Sequence, residues 1–209
     1  MHGTVPQKIG RVVTNLLLHP QYISRCLVHN VVNGRTPLDL EIPWFSYSAI
    51  DFLDGFLKPE MKVCEYGSGG STLFFARRVK SVVSIEDNEK WYELVTQRVK
   101  EKNVPNVEIK LKPFDFKNPA GFEASDYLHA MPEEKFDVIV VDGSEEWQQV
   151  RQICFRKAEE RVKEGGIVVV DDSWRYPGIR QNNRAKDHRI FQSVGPCRPG
   201  VTSTDVFFY

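Results

Sequence analysis

The sequence lacks any apolar run long enough to cross a bilayer. The longest, Val12 to Leu18 (interrupted by Thr14 and Asn15) and Ile167 to Val170, fall far short of the roughly 20 residues a spanning helix needs. It also lacks net charge: 28 Lys and Arg balance 28 Asp and Glu, so no global field draws it to nucleic acid or anionic lipid. Any charged partner must be met locally. Cysteine is sparse. Cys26, Cys64, Cys154 and Cys197 stand far apart with no C-x-x-C pair, which reads as reduced thiols rather than a disulfide frame or a zinc site. The Lys8/Arg11 flank precedes no adequate apolar stretch or small-residue cleavage site. A secretory signal is not expected, and the expected location is the cytoplasm. There is no internal repeat and no low-complexity segment.

What is present fits one domain with an extension. From Lys62 onward, short apolar runs alternate with amphipathic segments, the pattern of a parallel sheet with helices on both faces. Strands are expected at Lys62 to Glu65, Ser81 to Glu86, Val107 to Leu111, Phe136 to Asp142 and Gly166 to Asp171. Helices are expected at Ser71 to Arg78, Lys90 to Lys102, Ser125 to Met131 and Glu146 to Lys163, as supports rather than sites. Two further strand-like runs, Arg189 to Val194 and Thr204 to Tyr209, flank a turn rich in Pro and Gly and suggest an antiparallel pair closing the sheet edge. Ahead of the sheet, residues 1–43 hold helical stretches at Lys8 to Leu18 and Gln21 to Asn30, then a loop through Gly34, Pro37 and Pro43. A helix from Trp44 to Leu57 opens the main domain, 44–209. The extension reads as an added packed layer or, more sharply, as a lid or homodimer contact.

The most informative segment is Val63 to Thr72, V-C-E-Y-G-S-G-G-S-T. A strand ending near a carboxylate runs into a glycine-rich turn and then a helix. The glycines let the backbone approach a ligand closely, and the helix start offers free N–H groups. Glu65 would repel a pyrophosphate but suit a ligand carrying a cationic amino group, a carboxylate and a sulfonium. Glu86 closes the next strand, 21 residues after Glu65, where an acid can accept hydrogen bonds from adenosine ribose hydroxyls. Thr72 stands where the dinucleotide fingerprint wants Gly or Ala, so G-x-G-x-x-G is not matched.

The Val63 to Thr72 segment resembles the first motif of class I S-adenosylmethionine-dependent methyltransferases, and S-I-E-D-N, Ser84 to Asn88, resembles their second. The resemblance spans Trp44 to Tyr209. Within that superfamily the chain is similar to a small branch that carries P-W-F-S-Y, V-D-G, D-D-S and T-S, here Pro43–Tyr47, Val141–Gly143, Asp171–Ser173 and Thr202-Ser203. The resemblance implies an α/β fold: a Rossmann-like, doubly wound, mostly parallel seven-stranded sheet with an antiparallel C-terminal strand and the N-terminal helical extension. It implies S-adenosylmethionine as cofactor, with Glu65, Gly67, Ser68, Gly69, Ser71 and Thr72 at the methionine end and Glu86 at the ribose. Asp115 is a candidate for the adenine amino group or, equally, a plain turn residue after Pro113, with Phe114 or Phe116 covering the ring.

Five carboxylates, Glu65, Glu86, Asp142, Asp171 and Asp172, are expected on one rim at the strand ends. Asp142 and Asp171 are the catalytic candidates, with Asp142 also able to contact the methionine amino group. Asp142, Asp171 and Asp172 could alternatively hold a divalent metal for an O-methyltransferase reaction; a metal-free site is preferred. Trp174, Arg175 and Tyr176 follow directly and are candidate substrate contacts. The fourth strand ends in V-D-G-S rather than N-P-P-Y, which argues against nucleic-acid bases as acceptors. The expected reaction is methyl transfer to a small-molecule O- or N-nucleophile, with a non-catalytic S-adenosylmethionine-binding partner protein as the rival reading.

Overall fold

The computed structural model describes residues 4–30 and 34–209; within the extension expected over 1–43, residues 1–3 and 31–33 lie outside the described residues. Seven strands form one mixed sheet: β1 (Lys62–Tyr66), β2 (Ser81–Glu86), β3 (Val107–Leu111), β4 (Phe136–Val141), β5 (Val162–Val170), β6 (Asp187–Val194) and β7 (Val201–Phe208). Their order is β3-β2-β1-β4-β5-β7-β6. The first five pair in parallel, and β7 is antiparallel to both of its neighbours, β5 and β6. The C-terminal pair is thus antiparallel as expected, with β7 inserted next to β5 and β6 left as the edge.

The central strands read F-D-V-I-V-V in β4 and I-V-V-V at the end of β5, because strands covered on both faces need apolar, β-branched residues at successive positions. Alternate residues serve opposite cores. Cys64, Tyr66, Ile139, Val141, Val168 and Val170 face one layer. Val63, Val138, Val140, Ile167 and Val169 face the other.

The helices of the described residues are α1 (Val5–Leu18), α2 (Ile23–Asn30), α3 (Pro37–Leu40), α4 (Tyr47–Phe56), α5 (Gly70–Ala76), α6 (Glu89–Glu101), α7 (Asp126–His129), α8 (Val150–Arg161) and α9 (Pro177–Gln181). Several bounds depart from expectation, and α9 lies where no helix is expected. The loop through Pro37 contains the one-turn α3, whose N-cap Thr36 accepts a hydrogen bond from Asp39 N at 3.2 Å. α4 starts at Tyr47 rather than Trp44, because Ser46 caps it by accepting from Ala49 N at 3.3 Å. α8 is shorter at both ends than 146–163, and β5 begins at Val162 instead of Gly166.

In the extension, α1 packs Val12 and Leu16 against the second core, and its Asn15 Oδ1 accepts from Val194 N at 3.0 Å. Val5, Ile9, Val13 and Leu17 of the same helix stay exposed. The chain leaves β1 toward β2 on one side and reaches β4 on the other. The crevice that such a reversal opens therefore lies beyond the carboxyl ends of β1 and β4. Among the described residues no helix is long and apolar enough to cross a membrane.

Candidate active site

The turn after β1 is built for close approach. Gly67 has φ +92°, and a Cβ there would stand 2.7 Å from the backbone oxygen of Asp142 at the tip of β4. A side chain would thus be strained and would wedge β1 from β4. Gly70, which the motif reading passed over, is equally constrained: a Cβ would lie 2.3 Å from the carbonyls of both Pro37 and Ile42. Trp91 was expected only to support the core. Its Nε1 instead donates to Ser68 O at 2.6 Å and holds the loop from the side.

Glu65 is fully buried beneath this loop. Its Oε1 accepts from Thr72 Oγ1 at 2.5 Å and Ser84 Oγ at 2.6 Å, while its Oε2 has no hydrogen-bond partner among the described residues. Thr72 Oγ1 also accepts from Gly69 N at 3.0 Å. The hydroxyl that replaces the dinucleotide glycine therefore ties the loop to the acid. Burial pushes the Glu65 carboxyl up to about 7, against the Ser84 and Thr72 hydroxyls that favour its charged form. Glu86, at the end of β2, is also buried. Its Oε2 accepts from Ser68 N at 2.9 Å and Ser68 Oγ at 2.7 Å, and its Oε1 from Asn88 N at 3.0 Å.

Across the crevice, Arg151 in the first turn of α8 clamps two strand ends. Its Nη2 pairs with Asp142 Oδ1 at 3.1 Å and donates to Gly143 O at 2.8 Å, and its Nη1 donates to Asp171 O at 2.7 Å. Asp142 keeps about a quarter of its side chain accessible. Burial raises its carboxyl to about 6, with Arg151 opposing. Asp171 is almost wholly buried, accepts from Thr204 Oγ1 at 2.6 Å, and is raised further, to about 8, by burial and by the Asp142 charge. Asp172 takes a left-handed backbone (φ 47°) and behaves oppositely. Burial pushes its carboxyl up, but Arg198 at 3.1 Å, Thr202 Oγ1 at 2.6 Å and Arg175 at 3.6 Å hold it below the ordinary range.

The quoted motifs meet at this rim. Thr204 Oγ1, bonded to Asp171, accepts from Ser46 N at 3.2 Å, and Ser173 Oγ lies 3.1 Å from Ser203 Oγ. Arg198 Nη2 donates to Trp44 O at 2.6 Å. P-W-F-S-Y, D-D-S and T-S are therefore one assembly, folded together from distant parts of the chain.

A cleft of about 670 Å³ runs from Ser68–Ser71 past Trp91 to Asp142, Asp171 and Asp172, with Trp44, Trp174, Arg175 and Arg198 opposite. Not every candidate reaches it. Glu65 and Thr72 sit beneath the loop, and Glu86 faces Ser68 from behind it. Tyr176 is buried in the first core, beside Arg151. Asp115 is exposed away from the cleft, its Oδ1 accepting from Lys117 N at 3.1 Å as a turn residue does. His129 donates from Nε2 to Glu123 O at 2.8 Å, and His188 pairs with Asp205 at 3.1 Å, so neither histidine serves the cleft. No group of three or more His, Cys, Asp or Glu side chains among the described residues is arranged to hold a metal.

This sheet order, with a glycine turn after β1 and acids at the ends of β1 and β2, defines the class I methyltransferase fold. The chain belongs to the methyltransferase-domain family, whose model matches residues 64–173. It is an S-adenosylmethionine-dependent methyltransferase. No curated protein matches the sequence. Among solved structures it is similar to an rRNA methylase from Streptococcus thermophilus at 15% identity and TM-score 0.56, over 85% of this chain and 99% of that one. A protein from Klebsiella pneumoniae proposed to be an O-methyltransferase shares 15% identity at TM-score 0.58, over 97% and 98%. A proposed methyltransferase from Streptococcus mutans, solved in complex with SAH, shares 12% at TM-score 0.57, over 84% and 99%. At these identities the likeness is one of fold.

The residues present fit the cofactor. Gly69 lines the cleft, and a Cβ there would meet only the Trp91 ring at 3.7 Å, so a ligand can approach the backbone at that point, while the partnerless Glu65 Oε2 leaves a buried acceptor beneath the loop.

Proposed function

We propose that the chain methylates a small-molecule O- or N-nucleophile held in the cleft, with Asp142 accepting the acceptor's proton. The observation that carries this reading is that one cleft contains both the Ser68–Ser71 loop and Asp142, flanked by Trp44, Trp174 and Arg175. Its volume is that of small-ligand sites. S-adenosylmethionine supplies an electrophilic sulfonium methyl in such a site. Ser68, Gly69 and Ser71 are assigned to its methionine end, Glu86 to holding Ser68 in the loop, and Glu65 with Thr72 to shaping the loop under it.

On the acceptor side, Trp174 and Arg175 flank the substrate. Asp142 is the most accessible of the strand-end carboxylates, and a carboxyl raised to about 6 holds its base form at neutral pH while still attracting a proton. Arg151 steadies the charged Asp142. Asp171, buried and bonded to Thr204, positions the rim. A metal-free route is favoured because Arg198 already pairs with both Asp171 and Asp172, leaving a divalent cation to compete with a fixed guanidinium.

The segment before residue 44 is assigned as an accessory layer that also contributes to the cleft wall. The four free thiols suit a cytoplasmic location. RNA is the competing acceptor class, kept open by the rRNA methylase neighbour.

The test is Asp142→Asn. It should leave S-adenosylhomocysteine affinity within about twofold and lower turnover by about 10² or more. Wild-type turnover in that variant would refute the assignment.

A further inference from the structure

The cleft has a third wall that the motifs do not supply. α1 of the extension lays Val12 and Leu16 on the second core and pins itself through Asn15 to Val194 N. Lys8 and Arg11, three residues apart and so on one flank of that packed face, both line the cleft. Every other cation of the cleft is paired. Arg151 holds Asp142 and Glu145, Arg175 holds Glu145 and Asp172, and Arg198 holds Asp171 and Asp172. Lys8 and Arg11 have no ion-pair partner among the described residues. Five cations therefore meet four carboxylates, and the unmatched charge sits at the mouth formed by α1. Arg198 adds a donor: its Nε is buried and partnerless among the described residues.

We infer that Lys8 and Arg11 recognise an oxyanion, a carboxylate or a phosphate, carried by the small-molecule acceptor, and that α1 is part of the substrate site. This deepens the methyl-transfer reading and rests on it. Two unpaired cations beside a rim of salt-bridged arginines offer an anion its charge partner without breaking an existing pair. A neutral acceptor would leave both unused. Cations on flexible stems at the mouth also draw an anion in before it reaches Asp142. The carboxylates of the cleft are each held by an arginine, which offsets their repulsion of an anion.

The test titrates the protein, loaded with S-adenosylhomocysteine, with benzoate, phenyl phosphate and uncharged benzamide. The variants are Lys8→Ala/Arg11→Ala and the charge-keeping Lys8→Arg/Arg11→Lys. Both positions are exposed, so the variants should fold as the parent does. The inference expects at least one anion to bind about tenfold or more tighter than benzamide, that advantage to vanish in the alanine variant, and the charge-keeping variant to retain it. Whichever anion prevails identifies carboxylate or phosphate as the recognised group. Equal binding of all three probes, anion binding unchanged in the alanine variant, or no anion binding at about 10 mM would overturn it. Binding of a single-stranded RNA that falls in the alanine variant, with both small anions ignored, would overturn it as well. If S-adenosylhomocysteine binds and the anions fail to discriminate, this inference falls alone; if S-adenosylhomocysteine does not bind, the methyl-transfer reading falls and takes this one with it.

Discussion

At the scale of single residues, the account turns on carboxylates whose proton affinity the fold has raised. Asp142 serves as a base only when deprotonated, so turnover should rise with pH through about 6 and then level off. In Asp142→Asn that limb should disappear along with most of the activity, which a pH–rate profile of both proteins measures. Glu65 makes a separate prediction about stability. Its folded-state value, about 7, lies above the ordinary 4.5, so the folded protein binds this proton more tightly than the unfolded chain. The favourable contribution is complete below about 4.5 and lost as pH rises through about 7. Glu65→Gln keeps the acceptor for Thr72 and Ser84 and cannot ionise. Its stability relative to wild type should therefore improve between pH 5 and pH 8 in urea unfolding, and a constant difference would contradict the assigned cause.

At the scale of elements, the site is held together by contacts between strand ends. Arg151 joins the tips of β4 and β5 from the first turn of α8, and its side chain is only 5% accessible. Arg151→Leu should cost about 2–4 kcal/mol, because it removes the guanidinium partner of the partly buried Asp142 and leaves the carbonyls of Gly143 and Asp171 without their donor. Denaturant unfolding tests this, and a loss under about 1 kcal/mol would contradict the clamp. Gly67→Ala should destabilise by more than about 1 kcal/mol and weaken cofactor binding, since φ +92° and the Asp142 carbonyl both oppose a side chain.

Elements of this kind also show what the sequence makes legible. The strands are legible because apolar runs such as F-D-V-I-V-V admit few other placements, and the positions of Glu65, Gly67 and Glu86 at the ends of β1 and β2 because their spacing follows one strand–turn–helix–strand unit. Arg151 was read only as part of a helix. Its signal was a charged residue sharing the α8 face with Phe155 and Ala158, at spacings of four and three. Gly70 and Trp91 owe their roles to carbonyls of Pro37, Ile42 and Ser68, which local periodicity cannot reveal. The end of α8 was misjudged because Val162 continues its apolar spacing but belongs to β5.

At the scale of the whole molecule, one sheet carries two cores, and the active cleft opens where its strand order reverses. P-W-F-S-Y, D-D-S and T-S had separate identities in the sequence; only the fold makes them one rim, through Ser46, Thr204, Asp171 and Arg198. The extension shows a similar gain. Lys8 and Arg11 first stood out only as a basic flank without a following apolar segment, and the packing of α1 brings them to the cleft. The central claim is that this cleft holds S-adenosylmethionine beside its acceptor. Calorimetric titration with S-adenosylhomocysteine tests it most directly. The account predicts saturable one-to-one binding, with about 2.7 kcal/mol of added stability when the ligand is present at a hundred times its Kd. Heat indistinguishable from dilution, with no stabilisation by ligand, would contradict it.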